Sequence, residues 1–228
     1  MNENEYGQSI REEIARNESA LRRYTELLAS YGGRIRLTGP SDATVLWEEH
    51  ILDCAWSLPS LPDSGAVIDV GSGGGLPGIV WAICRPNIAV TLLDSVHKKC
   101  SAMERMSAEL GLTNVTVACA RAEDFAVTHR ESFALAGARA LAEAGVVVEL
   151  LSPLVRRGGS VLAFKGPRYA EEIAAIATWK GLGLHPPTII SYHMGEKERH
   201  ILVWQKNAPC PKVFPRRAGS AEKDPWWR

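Results

Sequence analysis

The sequence of 228 residues predicts an α/β protein with a seven-stranded, mostly parallel sheet, an antiparallel hairpin at one edge of that sheet, and a helical N-terminal extension. Three observations lead to this fold class. From residue 61 onward, short apolar runs alternate with stretches of helical period, as in sheets whose parallel strands are joined by crossover helices. A glycine-rich turn directly follows the first apolar run. The last two runs are separated only by a short polar link, which is typical of a hairpin.

Helical periodicity dominates the first 60 residues. Apolar side chains recur at helical spacing from Ser9 to Tyr31, and a pair of glycines ends this stretch. Ser41 is a candidate N-cap for a second helix, which carries apolar residues as far as Trp56 and stops before two prolines. Residues 1–60 are therefore interpreted as the helical extension.

Residues 61–206 are expected to form the sheet and the helices that cover it. Seven strands are predicted from apolar runs of four to eight residues: Ala66–Val70, Ile88–Asp94, Asn114–Ala118, Phe133–Ala138, Ser160–Lys165, Thr188–His193 and Arg199–Gln205. Four helices are predicted from apolar residues at helical spacing: Pro77–Cys84, Val96–Leu110, Glu143–Leu154 and Tyr169–Lys180.

Charge is distributed unevenly, although 26 basic residues balance 26 acidic ones. Residues 1–60 carry six basic and ten acidic residues (net −4), 61–150 carry seven and ten (net −3), and 151–228 carry thirteen and six (net +7). Such asymmetry is a recognised sign of nucleic-acid contact, but the charge counts alone favour an ordinary solvated surface. Residues 207–228 contain four prolines and no periodicity, which predicts an extended basic tail whose terminal Trp226-Trp227 are disordered rather than stacked on bases.

Several classes of protein are excluded by composition. The five cysteines include no C-x-x-C pair, and the six histidines show no metal-ligand spacing, so neither a disulfide framework nor a metal site is expected. No apolar run approaches the roughly 20 residues of a membrane helix, and the polar, acidic start does not resemble a signal peptide. A cytoplasmic protein without membrane contact is the resulting expectation.

The densest motif is VIDVGSGGGLPG at residues 67–78, where a strand runs directly into a glycine-rich turn. Glycines permit positive φ and let a flat nucleoside approach the backbone. Asp94 ends the next strand, where an open parallel sheet places a carboxylate to accept hydrogen bonds from ribose hydroxyls. Residues 121–124 (Arg-Ala-Glu-Asp) follow the third strand, where an acid and a backbone N–H can read an adenine edge. The three elements together predict a nucleoside-containing cofactor.

Two cofactors are compatible with this turn. The dinucleotide pattern G-x-G-x-x-G is met by Gly73, Gly75 and Gly78, but it starts two residues after the strand. Counted from the strand, the run is Asp69-x-Gly71-x-Gly73-x-Gly75, whose acidic start is the form used for S-adenosylmethionine. An NAD-dependent oxidoreductase also needs a hydride-chemistry pair such as Tyr-x-x-x-Lys, and that spacing does not occur. S-adenosylmethionine is therefore favoured, while an NAD-dependent oxidoreductase and a non-catalytic RNA-binding module remain the alternatives.

Several motifs stand in the order and spacing of one known family: Trp47-Glu48-Glu49-His50-Ile51-Leu52-Asp53, the run from Asp69 to Gly78, Leu92-Leu93-Asp94-Ser95, Arg121-Ala122-Glu123-Asp124-Phe125, Ala138-Arg139-Ala140, Phe164-Lys165-Gly166 and Glu198-Arg199-His200. From about residue 35 to its end, the chain resembles the ribosomal small-subunit methyltransferase G family, also called glucose-inhibited division protein B. It departs from the family at Gly74, where many members have proline, and at His97, where glycine is common.

This resemblance implies a Rossmann-like, class I S-adenosylmethionine-dependent methyltransferase that acts on guanine N7 in the 530 loop of 16S ribosomal RNA. The implied partner is that RNA, in the small ribosomal subunit or an assembly intermediate, and the implied enzyme is a monomer. By matching positions, the resemblance and the turn assign the following residues to the cofactor: Gly71, Ser72, Gly73, Leu76, Asp94, Ala122, Glu123 and Arg139.

Guanine N7 carries a lone pair and no proton, so the reaction requires positioning more than a general base. No catalytic base is predicted, and Arg139 is the candidate positioning residue for cofactor and target base. Lys98, Lys165 and Arg199 are predicted at strand ends or in the loops that follow, where they could contact RNA phosphates or the guanine edge. The alternative for Lys165 and Arg199 is an ordinary ion pair with a neighbouring glutamate.

Overall fold

The computed structural model describes residues 3–32, 35, 37, 39 and 41–227. A seven-stranded sheet of order β3-β2-β1-β4-β5-β7-β6 forms its centre. The strands are β1 (Gly65–Val70), β2 (Ile88–Asp94), β3 (Val115–Cys119), β4 (Phe133–Arg139), β5 (Val155–Lys165), β6 (Thr188–Met194) and β7 (Lys197–Gln205). Strands β1 to β5 are parallel, and β7 is antiparallel to both β5 and β6. The predicted fold class, with its antiparallel edge hairpin, is confirmed.

The helices cover both faces of this sheet. They are α1 (Glu3–Gly32), α2 (Ala43–Leu46), α3 (Leu52–Ala55), α4 (Gly78–Cys84), α5 (His97–Glu109), α6 (Ala122–Thr128), α7 (Ala144–Leu151), α8 (Tyr169–Ala174) and α9 (Ser220–Lys223). A π-helical stretch at Trp47–Ile51 joins α2 to α3. The N-cap of α2 is Asp42, whose carboxylate accepts from the Val45 N–H at 2.9 Å, and not the expected Ser41.

The helical extension shares a hydrophobic core with the sheet. Tyr24, Leu28, Leu46 and Ile51 are fully buried in the same cluster as Trp81 of α4. The buried Glu13 of α1 also pairs with Arg85, just after α4. The extension is therefore packed as part of the same folded unit, beside the glycine-rich turn.

Several predicted elements differ in length from the observed ones, and two of these differences have a clear structural reason. The helix predicted to reach Lys180 ends at Ala174, because Ile176 and Trp179 turn into the core beyond it, and tertiary packing overrides the helical period. Strand β5 begins at Val155, before the expected Ser160, because its pairing with β4 contains a shift in register. Two adjacent glycines at residues 158 and 159 accommodate this irregularity.

The C-terminal tail packs against the protein, and this corrects the expectation of a disordered end. Trp226 donates its indole N–H to the carbonyl of Gly145 at 3.0 Å, and the Trp227 ring lies so close to Gly145 that a Cβ there would meet it at 2.4 Å. Cys210 and Ala221 are buried in the cluster formed by α7 and the sheet. The tail therefore covers α7.

Within the described ranges, no helix combines the length and the apolar character needed to cross a bilayer. The same residues bring together no group of three or more His, Cys, Asp or Glu side chains suited to a metal ion.

Candidate cofactor site

A cavity of about 560 Å³ lies at the carboxyl ends of β1 to β4. Strand order reverses between β1 and β4, and ligands of open α/β sheets bind beside such a switch point. The walls are the loops that follow these four strands, one side of α7, and a short part of the tail from Ala218 to Glu222. The fold thus places a ligand-sized space where the sequence predicts the cofactor.

The glycine-rich turn is held in place by backbone hydrogen bonds to β2. The N–H groups of Gly71 and Ser72 both donate to the Leu93 carbonyl, at 2.8 and 3.1 Å. Gly71 and Gly75 have φ of +74° and +97°, and a Cβ on Gly75 would lie 2.4 Å from the Ile79 side chain.

Asp94 lines the cavity with a carboxylate that is already oriented by the backbone. Its Oδ2 accepts from the Gly73 N–H at 3.0 Å, and its Oδ1 accepts from the Val96 N–H at 2.9 Å. The Lys99 ammonium lies 3.7 Å from Oδ2. Since an ionised carboxylate offers about four acceptor positions, Asp94 retains capacity for ribose hydroxyls.

Asp69, the acid at the start of the motif, is fully buried beneath the turn. One carboxylate oxygen accepts from the Gly78 N–H at 2.9 Å, and the other has no hydrogen-bond partner among the described residues. Burial raises the pKa of Asp69 to about 7. This acid anchors the start of α4, and it lies outside the described lining of the cavity.

The motif after β3 forms the next wall. Arg121 is the N-cap residue of α6, a helix that the sequence-based prediction missed, and Ala122 and Glu123 line the cavity in its first turn. Glu123 accepts from the backbone N–H of Gly219 in the tail at 3.2 Å. Gly71, Asp94, Ala122 and Glu123 therefore surround one space, whereas Ser72, Gly73 and Leu76 of the predicted cofactor set lie outside its described lining.

Arg139 takes part in a polar network beside this cavity and is not part of its described lining. Its Nε donates to Asp53 at 2.8 Å, and one terminal nitrogen donates to His50 Nδ1 at 2.9 Å. The Tyr192 hydroxyl donates to the other oxygen of Asp53 at 2.7 Å. The network joins the extension, the end of β4 and the edge strand β6.

His50 is neutral in this network. An arginine only donates hydrogen bonds, so His50 Nδ1 must accept, and the ring proton is on Nε2. Burial, followed by the nearby Arg139 charge, lowers the pKa of His50 to about 4. The imidazole is therefore an acceptor for Arg139 throughout the physiological pH range.

The structure corrects the assignment of Lys165 to RNA. Its ammonium donates to the Ala142 carbonyl and to Glu172, both at 2.6 Å, and its side chain is only 6% exposed. Glu172 also accepts from the Ala144 N–H at 2.7 Å. Because its ammonium is buried and paired, Lys165 offers no free charge to RNA. Its contacts instead stabilise the loop after β4.

The other two predicted RNA contacts remain available in the described part of the chain. Lys98 is exposed in the first turn of α5 and forms no ion pair there. Arg199 lies on β7 opposite Tyr192, forms no ion pair with a described residue, and has a buried Nε without a hydrogen-bond partner. Both stay predictions for RNA contact.

Sequence reasoning missed three residues and one segment that contribute to the site. Lys99 lines the cavity, although its neighbour Lys98 was chosen from the same helix start. Asp53 and Tyr192 orient Arg139, and they lie 139 positions apart. The tail segment from Ala218 to Glu222 also forms part of the wall. Only Asp53 carried a local signal, because it ends one of the recognised motifs.

The family model for rRNA small subunit methyltransferase G, GidB, matches residues 17–201. The chain belongs to this family. A ribosomal RNA small subunit methyltransferase G of Moorella thermoacetica is 35% identical over 218 residues, which cover 89% of this chain and 87% of the relative. The relative of the same name from Carboxydothermus hydrogenoformans is 37% identical over 228 residues, covering 97% and 95%. The family consists of S-adenosylmethionine-dependent enzymes, so the choice of this cofactor over NAD is confirmed.

Solved structures show the same fold at low sequence identity. A geranyl diphosphate methyltransferase in complex with S-adenosylmethionine has a TM-score of 0.54 at 15% identity, covering 75% of this chain and 93% of that one. A precorrin-6y C5,15-methyltransferase from Geobacter metallireducens has a TM-score of 0.52 at 13% identity, covering 68% and 87%. The sheet and its helices are therefore those of class I methyltransferases.

Proposed function

We propose that this protein methylates N7 of a guanine in the 530 loop of 16S ribosomal RNA, with S-adenosylmethionine as methyl donor. The observation that carries the proposal is the cavity bounded by Gly71, Asp94 and Glu123 at the carboxyl edge of a class I methyltransferase sheet. The proposed substrate is the small ribosomal subunit or its assembly intermediate, which implies a cytoplasmic enzyme. We expect it to act as a monomer, which sedimentation analysis can test.

The residues present fit this cofactor. Bare backbone at Gly71 allows close approach of the ligand, and a Cβ there would lie 2.7 Å from the Leu141 side chain. Asp94 offers acceptors for ribose hydroxyls, and Glu123 with the backbone of Ala122 offers an acceptor and a donor for the adenine edge. The volume of about 560 Å³ lies within the range of small-molecule sites.

The reaction requires the protein mainly to position the cofactor and the target base. When bound, S-adenosylmethionine supplies an electrophilic methyl group. Guanine N7 already carries its lone pair, so the chain needs no residue that removes a proton. In this proposal the target base binds next to the hydrogen-bonded network of Arg139, His50 and Asp53, and this network positions it.

Cofactor binding can be tested through Asp94. We expect Asp94→Asn to weaken binding of S-adenosylhomocysteine roughly tenfold or more, because hydrogen bonds to a charged acceptor are worth about 1.5–3 kcal/mol. Asp63→Asn removes an exposed carboxylate in the loop before β1 and serves as the matched control. Calorimetry measures both affinities. Equal binding by Asp94→Asn and the parent contradicts the assignment.

The reaction itself is tested by mapping methylation of 16S ribosomal RNA by mass spectrometry in cells with and without this chain. We expect one methyl group on a guanine of the 530 loop, and only when the chain is present. Reactions with purified small subunits and with naked RNA then identify the form of substrate. An unchanged 530 loop with a new methyl group elsewhere assigns a different target.

Contacts with RNA can be tested through Arg199. Each lost phosphate contact reduces the slope of log affinity against log salt by about one. We expect Arg199→Ala to reduce the slope and the affinity, whereas Arg157→Ala, which removes an exposed charge near the start of β5, leaves both unchanged. An unchanged slope and affinity for Arg199→Ala contradicts its assigned role.

A further inference from the structure

We infer that the C-terminal tail, residues 207–227, contributes to cofactor binding. In this inference, docking of the tail raises the affinity of the site for the adenosine end of the ligand. This inference rests on the proposed use of S-adenosylmethionine. Four tail residues line the cavity: Ala218, Gly219, Ala221 and Glu222. Among the residues that the structure describes, the rest of the lining lies between Val70 and Leu150, so the tail is the part of the wall that is most distant in sequence.

The tail touches a residue that the family resemblance assigns to the cofactor. The backbone N–H of Gly219 donates to Glu123 at 3.2 Å. Gly219 has φ of +76°, a conformation that favours glycine, and a residue of this kind lets the backbone turn toward Glu123. The orientation of the Glu123 carboxylate thus depends on where the tail lies.

An ion pair holds the tail immediately before this wall. Arg216 donates through two guanidinium nitrogens to the two oxygens of Glu149, at 2.9 and 2.8 Å. Glu149 is only 1% exposed and stands within the apolar sequence of α7. A buried carboxylate without a partner is strongly unfavourable, so Glu149 destabilises the folded protein unless the tail is docked.

Two further anchors lie on either side. The Arg130 guanidinium donates to the carbonyls of Cys210, Pro211 and Phe214, at 2.5, 2.8 and 2.6 Å. After the wall, the Trp226 indole donates to the Gly145 carbonyl. The segment that lines the cavity is therefore fixed at both ends.

The anchors and the cavity also share one helix. Val146 and Leu150 of α7 line the cavity, while Glu149 and Gly145 of the same helix hold the tail. If the tail detaches, the cavity loses one wall and Glu123 loses its hydrogen bond from the tail. The buried carboxylate of Glu149 then also loses its ion-pair partner. We therefore expect tail docking and ligand binding to stabilise each other.

The test compares full-length variants by calorimetry with S-adenosylhomocysteine. Arg216→Ala removes the anchor, and Glu149→Gln with Arg216→Ala removes the anchor together with the charge left behind. Arg217→Ala is the matched control, because it deletes an exposed tail arginine that has no ion pair in the described chain. We expect both anchor variants to bind roughly tenfold more weakly or worse, and the control to bind as the parent does.

Amide hydrogen exchange of the parent protein provides a second measurement that needs no variant. We expect S-adenosylhomocysteine to slow exchange at residues 218–222. The inference is overturned if the folded double variant binds as tightly as the parent, or if the ligand leaves exchange in this segment unchanged. A parent protein that binds no S-adenosylhomocysteine refutes the proposed function, whereas the first two results refute the role of the tail alone.

Discussion

Asp53 accepts hydrogen bonds from Arg139 and Tyr192, one on each carboxylate oxygen. In Asp53→Asn, the amide nitrogen must face one of these two donors, and the Arg139 charge loses its partner. We expect the variant to lose about 3 kcal/mol of unfolding free energy, as for other broken buried pairs. Urea unfolding measures the loss. Glu49→Gln, which breaks the exposed pair with Lys197, should leave the midpoint unchanged, and equal midpoints for the two variants contradict the prediction.

His50 provides a prediction about pH. Its pKa of about 4 in the folded protein lies below the ordinary value of 6.5. Between these values the unfolded chain binds a proton that the folded protein does not, so stability is lost as pH falls from about 6.5 toward 4. NMR titration of the imidazole should show a midpoint near 4 with the proton on Nε2. A midpoint above about 6 contradicts a neutral acceptor.

At the scale of elements, the glycine-rich turn links α1 to the sheet. The buried Tyr24 hydroxyl donates to the Gly74 carbonyl at 2.9 Å, so the extension supports the turn directly. The positions of the strands were predictable, because apolar runs and turn residues are local signals. The short α6 and the early end of α8 were not, because neighbouring elements decide them.

Gly75 tests the packing of this turn. Gly75→Ala must adopt φ near +97° and place its Cβ 2.4 Å from Ile79, so we expect a loss of about 3 kcal/mol. Gly111→Ala is the control, because Gly111 also has positive φ but faces open space, and we expect a loss of about 1 kcal/mol there. Urea unfolding of both variants gives the comparison. Equal losses exclude a packing contribution at Gly75.

For the whole molecule, the helical extension and the sheet should fold together. Among the described residues of the extension, six large apolar side chains are fully buried in the shared core: Leu21, Tyr24, Leu28, Leu46, Ile51 and Leu58. Their burial contributes about 10 kcal/mol, which is comparable with the total stability of a domain. We expect a chain of residues 61–228 to show no cooperative thermal transition by circular dichroism. A sharp transition with dispersed NMR signals contradicts this expectation.

The candidate site was only partly predictable from the sequence. Gly71, Asp94 and Glu123 lie at or just after the carboxyl ends of consecutive strands, and the topology of a parallel sheet brings such positions together. Lys165 occupies an equivalent position and was wrongly assigned to RNA, because nothing local shows that Glu172 captures its ammonium. The position of a charge along the chain does not reveal whether it is paired.

The sequence by itself determined the fold class, the family and the place of the cofactor, because periodicity, glycine conformations and motif spacing act over a few neighbouring residues. Only the tertiary structure decided which charges are free and what completes the cavity. Arg216 and Glu149 lie 67 positions apart, and their pairing brings the tail onto α7. Contacts of this kind depend on the path of the whole chain. The net charge of +7 in residues 151–228 is therefore not all available to RNA, because Lys165, Lys206 and Arg216 already pair with carboxylates.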